Sequence, residues 1–115
     1  MVNIFVYGTL KKGFALNYLF VDSIFVGEAN LKGYEMYSLA FFPVITKGDG
    51  EIYGEVYNIS KDLLKKLDTV EIGYRREEVN VEINGKKVKA YVYIDNVDRS
   101  KFLFKLKKVN SGIWI

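Results

Sequence analysis

The stretch Val6-Tyr7-Gly8-Thr9-Leu10-Lys11-Lys12-Gly13 ends the first apolar run of the chain and breaks it with a glycine. Residues 2–7 are apolar on both faces, which is typical of a buried central strand. A buried strand that ends in a glycine loop brings bare backbone N–H groups to one rim of a fold, where they can bind an anion. The glycine spacing resembles that of a phosphate loop, but Phe14 stands where the required lysine would be. A nucleoside triphosphate site is therefore disfavoured, and a glycine turn without any ligand is the other interpretation.

After this loop the sequence predicts a short helix over residues 14–21 and then mostly strands. Glycines inside the strand-like runs indicate bulges or sharp bends, of the kind that small barrels need at their corners. The single proline, Pro43, favours an edge strand or the start of a strand. The composition of Lys47-Gly48-Asp49-Gly50 predicts a turn between two strands. The predicted strand segments are 24–39, 41–45 and 51–59.

One helix is clearly marked, over residues 61–71. Ser60 is a favourable N-cap, and Asp62 suits the first turn of a helix. Gly73 is a plausible terminator. The apolar stripe of this helix consists of Leu63, Leu64 and Leu67.

Residues 76–94 read as a β-hairpin, because Asn84-Gly85 is the strongest short-range hairpin signal. The turn fixes the register, so the lysine cluster of residues 86–89 lies on the outer face across from the strand that carries Glu78 and Glu82. That pairing predicts a solvated, locally neutralised surface and weakens the hypothesis of a basic RNA-binding barrel. The expected pairs are Ile83 with Lys86, Glu82 with Lys87, Asn80 with Lys89, and Glu78 with Tyr91.

The C-terminal tail, from residue 101 onwards, allows more than one interpretation. Lysines alternate with apolar residues over 101–109, which fits either an amphipathic docking segment or a basic patch. Ile113-Trp114-Ile115 is apolar enough to pack back onto the core. Together, six or so strands and one good helix indicate an α+β fold with a mostly β barrel or a strongly curled sheet.

Composition excludes several classes of chemistry. The chain has 115 residues, a formal net charge of +3, no cysteine and no histidine. Thiol catalysis, Ser-His-Asp triads, zinc fingers and histidine-based metal sites are therefore excluded, and proton transfer must use a carboxylate, tyrosine, lysine or water. No apolar run approaches the ~20 residues of a membrane span, and the first residues lack the features of a signal peptide. We expect a soluble, cytoplasmic protein.

Glu71 is the acid that the helical pattern turns inward. It lies four residues after Leu67 and seven after Leu64, on the apolar face of the predicted helix. Burial and the negative end of the helix dipole both raise the pKa of an acid placed there, and such a glutamate is a usable proton shuttle near neutral pH. The alternative is a frayed helix end, with Glu71 in solvent or paired with Arg75 or Arg76.

Several short motifs follow one another along essentially the whole chain. They are Tyr7-Gly8-Thr9-Leu10 with Lys11-Lys12-Gly13, Gly54-Glu55-Val56-Tyr57, Leu67-Asp68 with Glu71, and then Tyr74 and Arg76. In this order they resemble the gamma-glutamylcyclotransferase-like family, and most closely its gamma-glutamylamine cyclotransferase branch with small prokaryotic relatives. One departure follows Glu71, where Ile72 replaces the small residue that is frequent in the family.

The resemblance implies a single domain over residues 1–115, built as a small closed, mostly antiparallel β-barrel of six to seven strands with one main helix and short flanking helices. It implies an acyltransferase or lyase that releases 5-oxoproline and a free amine from a gamma-glutamyl amide or amine, by attack of the substrate's own α-amine. Glu71 would be the catalytic acid and base. The substrate loop, called loop 7–10 below, would be Tyr7, Gly8, Thr9 and Leu10.

By the same resemblance, the partner is a small-molecule gamma-glutamyl substrate, and no cofactor, metal, nucleic acid or membrane is required. Ring closure is intramolecular, so the protein mainly holds a folded conformer of the substrate and stabilises charge. The alternative of another class is a non-catalytic barrel that binds a small carboxylate or metabolite through the same loop.

Overall fold

The computed structural model describes residues 1–95 and 106–115. Within them lie six strands, one α-helix and one short 3-10 helix. In chain order these are β1 (Val2–Val6), the 3-10 helix (Asn17–Phe20), β2 (Ile24–Ser38), β3 (Pro43–Ile59), α1 (Lys61–Val70), β4 (Tyr74–Ile83), β5 (Lys86–Asp95) and β6 (Lys107–Lys108).

Five of the strands close into a ring. The sheet order is β3-β1-β5-β4-β2, and β2 also pairs with β3, while β6 is added at the far end of β2. Every described pairing is antiparallel except that of β1 with β5. The prediction of an α+β fold with a mostly antiparallel sheet is confirmed, and the sheet has six strands in the described part of the chain.

The predicted turn at Lys47-Gly48-Asp49-Gly50 is wrong, because these residues lie inside β3. The pairing of β3 with β2 jumps there from Tyr34↔Lys47 to Lys32↔Glu51, so the segment is a bulge within a continuing strand. A bulge and a turn use the same small and polar residues, and only the partner strand distinguishes them. The predicted segments 41–45 and 51–59 are accordingly one strand, which begins at Pro43 as expected for proline.

Helix α1 forms for the reasons that the sequence indicates. The Ser60 side chain accepts a hydrogen bond from the Leu63 N–H at 3.1 Å, and Leu64 and Leu67 are buried. The helix ends at Val70, one residue earlier than predicted, and Gly73 follows with a φ of +89°. The short helix expected over 14–21 is confirmed only as the 3-10 turn at residues 17–20.

The hairpin of β4 and β5 has the predicted register, including Ile83↔Lys86 and Glu82↔Lys87. Its turn residues Asn84 and Gly85 have φ values of 51° and 78°, as a two-residue type I′ turn requires. Ion pairs join Lys89 to Glu78 at 3.8 Å and Lys32 to Glu82 at 3.6 Å. The outer face of the hairpin therefore carries charges of both signs, as expected.

Two apolar clusters flank β1, which confirms that it is a central strand. Phe5 and Tyr7 belong to a cluster that draws on all five strands of the ring. Ile4 and Val6 point the other way and pack with Leu64 and Leu67 of α1. Alternate residues of β1 are thus buried on opposite faces, which places its C-terminal end between the ring and the helix.

The last residues bind back to the ring through the backbone. The Val109 N–H donates to the Met36 carbonyl at 2.8 Å, and the Tyr53 N–H donates to the Gly112 carbonyl at 2.9 Å. Of Ile113, Trp114 and Ile115, only Trp114 packs against the core, so that prediction is confirmed for one residue of three. Residues 101–105 of the predicted amphipathic stretch lie outside the described residues. Within the described ranges, no helix has the length and apolarity needed to cross a membrane.

Candidate active site

Loop 7–10 leaves the end of β1 and turns immediately. The Tyr7 hydroxyl is buried and donates to the Tyr93 carbonyl at 2.6 Å, which fixes the start of the loop on β5. The Lys11 N–H donates to the Gly8 carbonyl at 3.0 Å, and the Leu16 N–H donates to the Thr9 carbonyl at 3.0 Å. The carbonyls of the loop are thereby used within the protein.

Three N–H groups of the same loop have no acceptor among residues 1–95 and 106–115. They belong to Gly8, Thr9 and Leu10. Gly8 is required here by a close approach, because an added Cβ would lie 2.8 Å from Pro43 Cγ. A turn with free N–H groups is a suitable cradle for a carboxylate.

Side chains outside the loop hold its second half. Asn17 Nδ2 donates to the Leu10 carbonyl at 2.8 Å and to the Tyr57 hydroxyl at 3.0 Å. The Lys11 ammonium donates to the Trp114 carbonyl at 2.9 Å, and partial burial lowers its pKa. The C-terminal tail is therefore attached directly to the residue that follows the loop.

Glu71 is the C-cap residue of α1, and its N–H donates to the Leu67 carbonyl at 2.9 Å. Burial of the carboxyl raises its pKa from 4.5 to about 7. The alternative of an ion pair is wrong, since Arg75 pairs with Glu77 at 2.9 Å and Arg76 with Asp68 at 3.0 Å. Desolvation of the charged form by burial is the cause of this raised pKa.

Glu71 and all four residues of loop 7–10 line one pocket of about 310 Å³. The sequence had placed them on separate elements, and the fold brings them together because α1 packs beside the end of β1. The remaining residues that line the pocket are mostly apolar or aromatic. They are Phe5, Val6, Leu16, Phe41, Phe42, Pro43, Val70, Ile72, Tyr74 and Tyr93.

Tyr93 is a lining residue that sequence reasoning missed. Its hydroxyl donates to Asp68 Oδ1 at 2.6 Å, and Arg76 Nε donates to the same oxygen at 3.0 Å. Burial, with the Asp68 carboxylate second, raises the pKa of Tyr93 well above its usual range. The available signal was its position on β5, where alternation places an aromatic ring on the face opposite Val92 and Ile94.

Two further tyrosines bound the pocket. Burial raises the pKa of Tyr7, and the Tyr74 hydroxyl donates to the Pro43 carbonyl at 2.6 Å. Tyr74 was noticed only as part of a motif, without a role, and its ring also meets Phe42 edge-on at 6.5 Å. The raised pKa values of Tyr7 and Tyr93 keep both hydroxyls neutral near pH 7, whereas the Glu71 carboxyl, with a pKa of about 7, can exchange a proton there.

The residues described by the structure contain no group of three acidic, cysteine or histidine side chains that could hold a metal ion. The arrangement instead combines free backbone donors with one carboxyl whose pKa is near neutral. It can bind an anion at loop 7–10 and move a proton at a neighbouring atom.

Residues 4–115 match the sequence model of a family described as gamma-glutamyl cyclotransferase, AIG2-like. The match covers loop 7–10, α1, Glu71 and the C-terminal tail. It therefore extends over nearly the whole chain and every residue of the pocket.

Individual relatives agree with this match. Protein PH0828 of Pyrococcus horikoshii is 37% identical over 83 residues, which make up 70% of this chain and 71% of the relative. Its crystal structure superposes with a TM-score of 0.78, over 98% of this chain and 89% of the relative. YtfP of Escherichia coli, named a gamma-glutamylcyclotransferase family protein, is 29% identical over 99% of this chain and 96% of its own. An AIG2-like protein from Mus musculus has a TM-score of 0.77 at 26% identity, over 90% and 84% of the two chains.

Proposed function

Because this chain belongs to the gamma-glutamyl cyclotransferase, AIG2-like family, we propose that it is a gamma-glutamylcyclotransferase acting as one domain over residues 1–115. It converts a gamma-glutamyl amide or amine into 5-oxoproline and a free amine. Glu71 is the general acid and base, and loop 7–10 holds the substrate.

The observation that carries this proposal is the position of Glu71 in the same pocket as the free N–H groups of loop 7–10. The substrate needs one site for its α-carboxylate and a second for the proton of its α-ammonium. Loop 7–10 suits the first and Glu71 the second. Mostly apolar walls exclude water, which strengthens hydrogen bonds to the bound carboxylate.

The first step is activation of the nucleophile. The α-ammonium of the substrate gives a proton to the Glu71 carboxylate, and the freed nitrogen attacks the γ-carbonyl carbon of the same glutamyl unit. An α-amino group has a pKa of about 8 in peptides, so a carboxyl with a pKa of about 7 accepts this proton far more readily than one of ordinary acidity.

The second step is departure of the amine. Protonated Glu71 gives its proton to the leaving nitrogen as the old C–N bond breaks, and it then receives and passes on the second proton that the attacking nitrogen loses. The attacking nitrogen goes from three hydrogens to the one of the lactam, and the leaving nitrogen gains two. The products are 5-oxoproline and an ammonium ion, so the charges balance.

Release of 5-oxoproline tests the proposal. We would incubate the protein with gamma-glutamyl amines and gamma-glutamyl amino acids and measure 5-oxoproline by mass spectrometry. Substituting Glu71→Gln should lower kcat at least ~100-fold, since general acid–base catalysis contributes about that much or more. For the unsubstituted protein, kcat/KM should rise with pH through about 7, because the base must be ionised.

A matched control separates the role of Glu71 from a general effect of removing an acid. Glu28→Gln makes the same change on an exposed position of β2, outside the pocket, and should retain full activity. Full activity in Glu71→Gln would contradict the assignment of Glu71 as the general base. If no gamma-glutamyl compound yields 5-oxoproline at any pH while one of them binds, the protein is a binding module of the same fold.

A further inference from the structure

The outer part of the pocket is formed by apolar side chains that are exposed in the free protein. We call this set the apolar mouth; its members are Phe41, Phe42, Val70 and Ile72. Phe41 is 89% and Ile72 is 86% exposed, and all four side chains line the same pocket. Exposed apolar side chains that are grouped in this way are typical of a ligand-binding groove.

The apolar mouth is held in place by the elements behind it. The turn before β3 is closed by the Leu39 N–H, which donates to the Phe42 carbonyl at 2.9 Å, and Ala40 has a φ of 68° within it. The Phe42 ring rests edge-on against Tyr74. Val70 and Ile72 flank Glu71 in the chain and are fixed by the end of α1. The mouth is therefore a built surface continuous with the pocket.

The chemistry of the proposed reaction determines what lies against this surface. Glu71 must deliver a proton to the leaving nitrogen, so the group attached to that nitrogen lies within a few ångströms of the Glu71 carboxyl. The chain neighbours of Glu71 on both sides belong to the apolar mouth. In the proposed function loop 7–10 holds the α-carboxylate, so the side chains next to Glu71 are left for the leaving group.

Apart from Glu71, which the proposed reaction uses, the described lining of the pocket offers no charged partner for a polar leaving group. Its ionisable residues are Glu71 and three tyrosines. Each tyrosine hydroxyl already donates within the protein at 2.6 Å: Tyr7 to the Tyr93 carbonyl, Tyr74 to the Pro43 carbonyl, and Tyr93 to Asp68. These rings present carbon edges and faces to the cavity.

We propose that the leaving group is an apolar amine, alkyl or aromatic, and that the apolar mouth binds it. This inference rests on the proposed function. An amine that carries its own charge would lose hydration against these side chains without gaining a partner. An alkyl or aryl chain gains by covering surface that is otherwise exposed to water.

Two isosteric substrates provide the test. Gamma-glutamyl hexylamide and gamma-glutamyl 5-aminopentylamide have the same length and differ in one terminal group, methyl against ammonium. We expect kcat/KM for 5-oxoproline release to be at least about tenfold higher for the hexylamide, since an apolar site discriminates by about this factor for small apolar differences. Equal values would overturn the inference and leave the cyclotransferase function intact.

Unreactive ligands separate this inference from the proposed function. Glutaryl hexylamide and glutaryl 5-aminopentylamide keep the carboxylate and the amide but lack the α-amine, so they cannot cyclise. Calorimetry should show the same preference, of about tenfold in Kd. If no substrate is turned over but the hexylamide still binds preferentially, the catalytic proposal fails and the apolar site stands. If neither glutaryl amide binds, the apolar site is wrong.

Substitutions in the apolar mouth test whether these side chains cause the preference for the hexylamide. Ile72→Ser and Phe41→Ser change highly exposed side chains and should leave the fold intact. Each should reduce the preference for the hexylamide at least about threefold. The matched control Val21→Ser alters an equally exposed apolar residue far from the pocket and should keep the preference unchanged. An unchanged preference in both mouth variants would contradict the assignment.

Discussion

Burial of Glu71 lowers the free energy of unfolding near neutral pH, and the same burial sets the pKa that the proposed proton transfer needs. Its carboxyl is largely buried, no described cation lies close enough to pair with it, and burial raises its pKa to about 7. The folded state therefore binds a proton that the unfolded state, with an ordinary glutamate pKa near 4.5, has already released. A purely structural role would favour a neutral side chain here, whereas the proposed proton transfer requires an acid.

This linkage predicts the effect of Glu71→Gln on stability. Between pH 4.5 and about 7 the folded wild type holds more protons than the unfolded chain, so its free energy of unfolding falls as pH rises. The full difference corresponds to about 3 kcal/mol at pH 8. We expect the variant to be more stable than the wild type by up to about that amount at pH 8, and equally stable below pH 4.5.

Urea unfolding at pH 4 and pH 8, followed by the Trp114 fluorescence, measures this difference. Glu28→Gln serves again as the control, since it changes an exposed acid and should show no comparable gain. Equal stability of wild type and Glu71→Gln at pH 8 would mean that the Glu71 carboxyl is solvated in the folded state.

At the scale of elements, the site depends on where three of them end or begin. Strand β1 ends just before loop 7–10, β3 begins at Pro43, and α1 ends at Val70, with Glu71 as its C-cap. Gly8 lies against the Pro43 ring, and the space between them admits no Cβ. The position of the loop N–H groups thus depends on the start of β3 as well as on the end of β1.

Gly8→Ala tests this contact. The new methyl group would lie 2.8 Å from Pro43 Cγ and 3.1 Å from Pro43 Cδ, so the loop or the proline must move. Overpacking of this kind costs about 1–3 kcal/mol, and a shifted loop should lower kcat/KM at least ~10-fold. Both are measured on the purified variant, by urea unfolding and by 5-oxoproline release.

The double variant Gly8→Ala with Pro43→Ala separates the contact from any other effect of the methyl group. Removing Pro43 Cγ and Cδ frees the space, so the two substitutions together should cost less stability than the sum of the single ones. Additive losses would show that the Gly8–Pro43 contact is not what limits residue 8.

On the scale of the whole molecule, the ring of strands and the tail together hold the site. The tail joins β2 and β3 through Val109 and Gly112, and it reaches loop 7–10 through the bond from Lys11 to the Trp114 carbonyl. Gly112 has a φ of 71°, and an added Cβ would lie only 2.0 Å from the Glu51 carbonyl oxygen. The docked tail therefore requires glycine at this position.

Gly112→Ala should release the tail. We expect a loss of at least about 2 kcal/mol of stability, a shift of the emission of Trp114 towards that of an exposed indole, and a lower kcat/KM through loop 7–10. Gly85→Ala is the matched control, because Gly85 also has a positive φ, of 78°, but open space around it. A variant that keeps the wild-type fluorescence and activity would show that the tail docks without this glycine.

The elements that could be predicted from the sequence are those marked by local sequence patterns. The Asn84-Gly85 turn set the register of β4 and β5 residue by residue, and Ser60 with Leu64 and Leu67 set α1, because these signals act over a few residues. The bulge at residues 48–50 could not be recognised in the same way. Its residues also suit a turn, and the pairing of β3 with β2 over 13 registered positions is a long-range property.

For this protein the sequence by itself determined the class of fold and the glycine loop, because turn chemistry, capping and periodicity are local. Helical periodicity also put Glu71 on the apolar face of its helix, but it left a frayed helix end as an alternative. Closure of the strands into a ring, the ten-residue extent of α1 and the joint pocket of Glu71 and loop 7–10 were decided by tertiary structure. The raised pKa of Glu71 and the apolar mouth belong to the same group, since burial depends on what other elements pack nearby. Phe41 and Ile72 are 31 residues apart in the chain, and only the fold makes them two sides of one opening.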